Sequence, residues 1–309
     1  MRGIFYNSKN ALCSIWESGI MCYNALKHST KYTLDYSEDC NLNFSYDFAI
    51  FNEHHYTNKW ISEEMIHNFN KPTFCIVTEV AFSSNIIRFN SPFYSNYIVI
   101  DPTINETEKI HSFCRPIEDF NIPNDIVINY DIPFIFSFGF ATQGKEWYKI
   151  VELVQKDYDN ANIHFNIPRG TFITEQMHIT EINKINDECK NIFKKPGIKL
   201  KITQDNLSKD ELLSLCSKST INCFFYNRQH IFSAGLSAVT DQAISSGRPL
   251  FVTGDCTFRH IHKYIDYYPN IGIKEAIEKT QQGVLKMKNE WSNAIFLNKF
   301  ENILERSMC

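Results

Sequence analysis

The chain has 309 residues, 43% of them apolar and 21% charged, with a formal charge of -4. That length and balance suit two ordinary globular domains, each with its own core. No dense run of Lys and Arg supplies the basic footprint of a nucleic-acid binder, and no apolar stretch has the length of a membrane span.

The opening MRGIFYN reads as a buried strand in place of a signal peptide, so the expected compartment is the cytoplasm. Ten cysteines are scattered from Cys13 to Cys309 without a C-x-x-C pair. Most sit in apolar segments such as PTFCIVTEV and INCFFYN, the pattern of buried reduced thiols and not of disulfides or zinc ligands. Asn43, Asn105 and Asn206 fit glycosylation acceptors, which without a secretory signal read as chance matches.

In chain order, short runs rich in Ile, Val, Phe and Tyr predict strands at 2–7, 32–36, 46–52, 73–80 and 97–100. Amphipathic stretches predict helices at 15–27 and 62–69, the second with Ser62 as its cap and acidic residues in the first turn. The segment RPIEDFNIPNDIVINYD, from Arg115 to Asp131, has two prolines and no clean period, and reads as an interdomain connection. Alternation then resumes. Strands are predicted at 133–138, 161–166, 198–203, 221–226 and 249–253, and helices at 146–157, 173–193, 209–217 and 237–246. From Ile273 to Arg306 the apolar steps of three and four predict one long helix, or two in series. Strands alternating with helices favour parallel sheets covered on both faces. The expected fold class is therefore α/β, with two Rossmann-like domains facing a central cleft and a long C-terminal helical segment. The expected division is an N-terminal domain over 1–120, a linker over 121–131, a C-terminal domain over 132–270 and terminal helices over 271–309.

Two segments could carry chemistry. In FYNRQHIFSAGLSAVTDQAISSGRPLFVT, from Phe225 to Thr253, a helix should begin near Ser237 after Gly235. A helix start presents unpaired amides and partial positive charge, which suit a diphosphate. Asp241, a turn along, can accept hydrogen bonds from a ribose diol, and Arg228 can add charge-assisted bonds to phosphate. The same stretch reads equally as a plain capped helix with Asp241 exposed. In IPFIFSFGFATQGKEWYKIVELV, a buried strand runs into Gly139, then Gly144 and Lys145 at a helix entrance. Glycine permits close backbone approach and lysine offers a compact positive charge. Glu146 after the lysine rules out a P-loop.

These residues carry a resemblance. SFGFATQGKEW is similar to the first strand and loop of the C-terminal half of GT-B glycosyltransferases, and GLSAVTDQAISSGRPLFVT resembles their donor-binding segment, most closely in glycosyltransferase family 4. NALCSIWESGIMCYNAL resembles their first loop and helix less specifically. The resemblance implies transfer of a sugar from a nucleotide-sugar to a glycan, lipid or protein acceptor, leaning toward retention, without an essential metal or other cofactor. It implies a donor site in which Asp241 binds ribose, Lys145 contacts the diphosphate, Ser237 and Ala238 supply amides beneath it and Gly139 allows close approach. Arg228 and Tyr226 join that donor site. Two positions depart from the family: Ser233 stands where it has a second glutamate, and Phe140 where it often has an arginine.

Acceptor-side and catalytic groups are expected at the carboxyl ends of the N-terminal strands: Glu17 with Ser18 and Gly19, His54 with His55, and Glu79. The histidines read more simply as surface-loop residues. Asp157 and Asp159 form a D-x-D pair, but in DYDNAN they read as a solvated turn and no metal is expected there. A non-catalytic binding protein on the same scaffold, or a nucleotide-sugar epimerase, are the alternatives.

Overall fold

The structure is a computed structural model that describes residues 1–7, 9, 14–39, 41–53, 61–78, 94–123, 125–171, 173–228 and 235–308. Runs such as FAIFNE and TFCIV have no polar alternation, so both faces must be covered, and parallel sheets meet that demand. The chain forms two units, one from Met1–Glu118 with Glu290–Cys309 and the other from Asp119–Ile231 with Ser237–Asn289.

In the first unit β1 (Arg2–Tyr6), β2 (Thr33–Ser37), β3 (Phe48–Glu53), β4 (Thr73–Val77), β5 (Asn96–Val99) and β6 (Ile110–Ser112) make a parallel sheet. Its order is β2-β1-β3-β4-β5-β6. β6, only three residues long, carried no periodic signal of its own and is defined by pairing with β5. Helices α1 (Ser14–Leu26) and α2 (Glu63–Phe69) belong to this unit, and Ser62 caps α2 by accepting the Met65 amide at 3.2 Å.

In the second unit β7 (Phe134–Phe138), β8 (Ala161–Asn166), β9 (Ile198–Thr203), β10 (Ile221–Phe224) and β11 (Leu250–Val252) make a parallel sheet in the order β11-β10-β7-β8-β9. Its helices are α3 (Trp147–Asp157), α4 (Glu175–Ile192), α5 (Lys209–Lys218) and α6 (Ala238–Ser245). α5 starts with a capping box in which Ser208 and Glu211 satisfy each other's backbone amides. The stretch 115–131 has neither helix nor strand among its described residues.

The C-terminal pattern, predicted as one or two helices, is three: α7 (Ile273–Lys279), α8 (Gln281–Glu290) and α9 (Asn293–Met308). Thr280 causes the first break. It is fully buried, its hydroxyl donates to the Ala276 carbonyl at 2.8 Å and accepts the Leu250 amide at 3.1 Å, so it serves β11. α9 completes the core of the first unit. Phe300 packs at centroid distances of 5.1 Å from Phe74 and 6.0 Å from Tyr32, and Phe296 at 4.9 Å from Phe113. The buried Glu301 carboxylate accepts from Ser29 at 2.6 Å and faces Lys31 at 3.2 Å.

Among the described cysteines, Cys22, Cys75, Cys189, Cys216 and Cys223 are buried. Burial pushes the Cys22 and Cys189 thiols up to about 12, which makes them poor nucleophiles.

Gly19 of α1 fits against a buried amide pair, with Asn52 Nδ2 donating to Asn7 Oδ1 at 2.7 Å. A Cβ at residue 19 would stand 2.3 Å from Asn7 Oδ1 and 2.4 Å from Asn52 Nδ2. Alanine gains about 1 kcal/mol of helix propensity over glycine, whereas overpacking a rigid site costs about 1–3 kcal/mol, so the clash should win. Gly19→Ala is expected to lower the urea midpoint; a raised midpoint would show that the amide pair yields.

Candidate functional site

The second sheet reverses its strand order between β7 and β10: β8 and β9 lie on one side, β11 on the other. In open parallel sheets the carboxyl ends of the two strands at such a reversal leave a crevice, because their following loops run in opposite directions. β7 ends at Phe138, directly before Gly139, and β10 at Phe224, two residues before Tyr226.

The loop after β7 is stitched onto the chain leaving β10. Glu146 N donates to Phe225 O at 3.0 Å, Asn227 N to Gly144 O at 2.8 Å, and Lys145 pairs with Tyr226 in an antiparallel bridge. Gly139 has φ +118°, a region other residues avoid, and a Cβ there would lie 2.8 Å from Lys145 Nζ and 3.0 Å from Val239 Cγ1. The lysine ammonium therefore lies against the bare backbone of Gly139, beside the first turn of α6.

Lys145 Nζ lies 5.3 Å from the ring centroids of both Trp147 and Tyr226, and the Arg228 guanidinium carbon is 5.1 Å from the Tyr226 ring. Among the described residues no carboxylate lies within ion-pair distance of Lys145 or Arg228. In a chain of net charge -4, two cations over one phenol ring leave a local positive field open to an anion. Burial holds the Lys145 ammonium below the usual lysine range, with Arg228 pushing the same way and Tyr226 opposing.

Ser237 is the N-cap of α6, yet its side chain makes no cap bond; its hydroxyl donates instead to Tyr226 Oη at 3.4 Å. Ser237 thus caps none of the amides at the start of α6. Its other end is satisfied: Lys288 of α8 donates to the Ser245 carbonyl at 2.8 Å. Ala238, the first residue of α6, is on the same turn as Val239.

Asp241 is 1% exposed, so neither an exposed carboxylate nor a plain surface cap describes it. Its Oδ1 lies 3.1 Å from His260 Nε2, both side chains being 2% exposed, and accepts from Thr240 Oγ1 at 3.3 Å. Sequence reasoning missed His260, because nothing in a separation of nineteen residues signals the pairing. It also missed Asp255. One oxygen of that carboxylate accepts the Arg228 amide at 2.8 Å; the other accepts the Thr257 amide at 2.9 Å. The Thr257 carbonyl in turn accepts the Ser237 amide at 3.1 Å, so one aspartate fixes both the arginine loop and the entry to α6. The D-x-T spacing in GDCTF is the local turn signal that could have found it.

On the first unit, Glu17 lies partly buried in the first turn of α1. Ser18 donates to the Ser14 carbonyl. His54, His55, Glu79 and Ser233 lie outside the described residues. The D-x-D carboxylates serve separate structural partners: Asp157 accepts the Lys274 amide at 3.2 Å and Asp159 pairs with Lys195 at 2.8 Å. Among the described residues no group of three or more His, Cys, Asp or Glu is placed to hold a metal ion, and no helix is long and apolar enough to cross a membrane. A hollow of about 690 Å³ runs along α4 and the edge strand β9, lined by Ile182, Lys190, Phe193, Lys199 and Leu200, and contains none of the residues above.

No protein-family model and no curated protein matches the chain by sequence. Solved structures match by shape. The chain is similar to a trehalose-6-phosphate synthase, OtsA, with 9% identity, 99% of each chain covered and a TM-score of 0.67. It is similar to a UDP-forming α,α-trehalose-phosphate synthase from Burkholderia xenovorans in complex with glucose-6-phosphate, at 8% identity, 99% and 100% coverage and a TM-score of 0.65. Anabaena HepE, in complex with UDP and glucose, matches at 8% identity, 99% coverage of each chain and a TM-score of 0.59. The fold is that of the GT-B glycosyltransferases: α/β, with two parallel sheets flanked by helices.

The Lys145 geometry gives a signed expectation. Its folded pKa lies below the unfolded one, so the charged lysine costs stability at pH below the folded pKa, and the cost fades as pH rises toward the ordinary lysine range. Lys145→Met keeps the aliphatic stem and removes the charge. It should raise the thermal midpoint at neutral pH, by an increment that shrinks in alkaline buffer. A lowered midpoint at neutral pH would mean the fold itself satisfies the ammonium.

Proposed function

We propose that the chain is a glycosyltransferase that transfers a sugar from a nucleotide-sugar to an acceptor, with the donor held by the second unit and the acceptor by the first. The observation that carries this reading is the meeting of Gly139, Lys145 and the start of α6, left uncapped by Ser237, where the second sheet reverses its strand order. Two further features support it. The cations Lys145 and Arg228 share the Tyr226 ring without a carboxylate partner among the described residues. The neighbours in shape include synthases described as UDP-forming and a protein bound to UDP.

In this reading the diphosphate lies over Gly139, accepts from Lys145, Arg228 and the amides of Ala238 and its neighbours, and leaves as a stabilised anion. Asp241, held by His260, faces the ribose. The likeness of SFGFATQGKEW and the Gly235–Thr253 segment to glycosyltransferase family 4 favours retention without a metal, in which positioning and stabilisation of the leaving diphosphate are the protein's main tasks. Glu17, His54 and Glu79 are the acceptor-side candidates. The second reading is a non-catalytic binder, favoured by Phe140 and Ser233 at positions where the family carries arginine and glutamate. Turnover separates the two: an active transferase releases nucleoside diphosphate from a nucleotide-sugar, a binder does not.

UDP, GDP, ADP and CDP should be compared in thermal melts. At a hundredfold excess over Kd, a ligand specific for the folded chain adds about 2.7 kcal/mol of stability. The expected result is a raised midpoint with at least one of them. Losing a charge-assisted bond costs about 1.5–3 kcal/mol, so Lys145→Ala should weaken binding about 10- to 100-fold. Asp241→Asn, which keeps the shape beside His260, should weaken ribonucleotide binding as well. No shift with any of the four would remove the donor-site assignment.

A further inference from the structure

At the carboxyl ends of β1, β2 and β3, polar side chains form a directed chain of hydrogen bonds. Asn52 Nδ2 donates to Asn7 Oδ1 at 2.7 Å, and Asn7 Nδ2 donates to Tyr36 Oη at 3.1 Å. Tyr36, having accepted, donates its proton to Glu38 Oε1 at 2.6 Å. The Trp16 indole donates to the same oxygen at 2.8 Å. Glu38 Oε2 has no partner among the described residues.

The frame around this carboxylate is rigid. Tyr36 stacks on Phe5 at 6.3 Å and lies 4.9 Å from Tyr23, and those two rings are themselves 5.7 Å apart, so Tyr36 belongs to a packed aromatic trio. Asn52 is fully buried and also donates to the Ile15 carbonyl, which anchors the chain to the start of α1. Trp16, Tyr36 and Glu38 are half-buried, so the group lies at the surface of the unit. A neutral amide oxygen would satisfy the Trp16 and Tyr36 donors as well, without desolvating a charge. What a carboxylate adds is a second, strong acceptor held in a fixed direction, at the end of a parallel sheet where such folds bind ligands.

We infer that Glu38 is a saccharide-binding residue of the first unit, accepting a sugar hydroxyl at Oε2 while Trp16 and Tyr36 lock Oε1. Under the transferase reading, on which only the word acceptor rests, it holds the acceptor. Oε1 is occupied by two donors and Lys9 is paired with Asp39 at 3.7 Å, so what Glu38 offers is one acceptor oxygen for a hydroxyl, and a cation is the competing ligand that the test includes.

The test uses the full chain and saturation-transfer NMR with methyl α-glucoside, N-acetylglucosamine and maltose at millimolar concentration, with n-butylamine as the cationic comparison. Glu38→Gln keeps an oxygen for Trp16 and Tyr36 but replaces the free acceptor by an N–H donor; Glu38→Ala removes both. At least one saccharide should bind, and Glu38→Gln should weaken it about tenfold or more, while the UDP-induced melting shift of that variant equals that of the unaltered chain. Saccharide binding lost on Glu38→Gln in a chain that UDP does not stabilise would support the Glu38 site while refuting the transferase reading. No saccharide bound, equal binding by Glu38→Gln, or binding of n-butylamine alone would overturn the inference.

Discussion

A single missing methyl group shapes the second unit. Because residue 139 has no Cβ, the Lys145 ammonium can lie 2.8 Å from where that carbon would stand, and α6 can bring Val239 within 3.0 Å of the same point. Any larger residue would push the lysine off the strand end and α6 away from it, and would also pay for the backbone at φ +118°. The rest of the site follows from that closeness. Lys145 bridges to Tyr226, Tyr226 receives the Ser237 hydroxyl, and Arg228 lies over the same ring.

The same geometric problem occurs at the reversal of strand order in the first sheet, between β1 and β3, and is solved differently. There the space is filled by Asn7 and Asn52 bonded to each other, with Gly19 of α1 allowing the helix to lie directly on the amides. One reversal is filled by neutral side chains whose bonds lead outward to Glu38; the other keeps a desolvated cation at its mouth. The contrast is chemical: a carboxylate aimed from one sheet, ammonium and guanidinium groups at the end of the other. The described partners of each lie within its own unit.

The strands were legible because runs such as FAIFNE and FIFSF have too few polar residues to face water on either side. Gly139, Lys145 and the helix beginning after Ser237 were legible because strand, glycine and helix entrance are adjacent in sequence. The turn of Asp241 into the interior was not. Its direction depends on His260, which arrives from a separate segment after β11, and helix periodicity says nothing about such a partner. Asp255 was passed over for a related reason: its two oxygens join segments that sequence reading takes one at a time. Three C-terminal helices replaced the predicted one or two because Thr280 is committed to β11, a tertiary demand overriding a continuous apolar pattern. Glu38 escaped notice because it lies past the end of a strand with no motif around it.

The placement of α9 has a consequence for synthesis. Phe296, Phe300, Ile303 and Leu304 belong to the same core as Phe5, Phe48 and Phe74, so that core stays unsealed until α9 has left the ribosome. The sheet of the second unit, drawn entirely from residues 134–252, emerges before then. During translation the later-made sheet can therefore close first, while the aromatic face of the earlier one stays open. A chain stalled before α9 would display Phe48 and Phe74 to solvent, a ready target for chaperones or for coaggregation with its own kind.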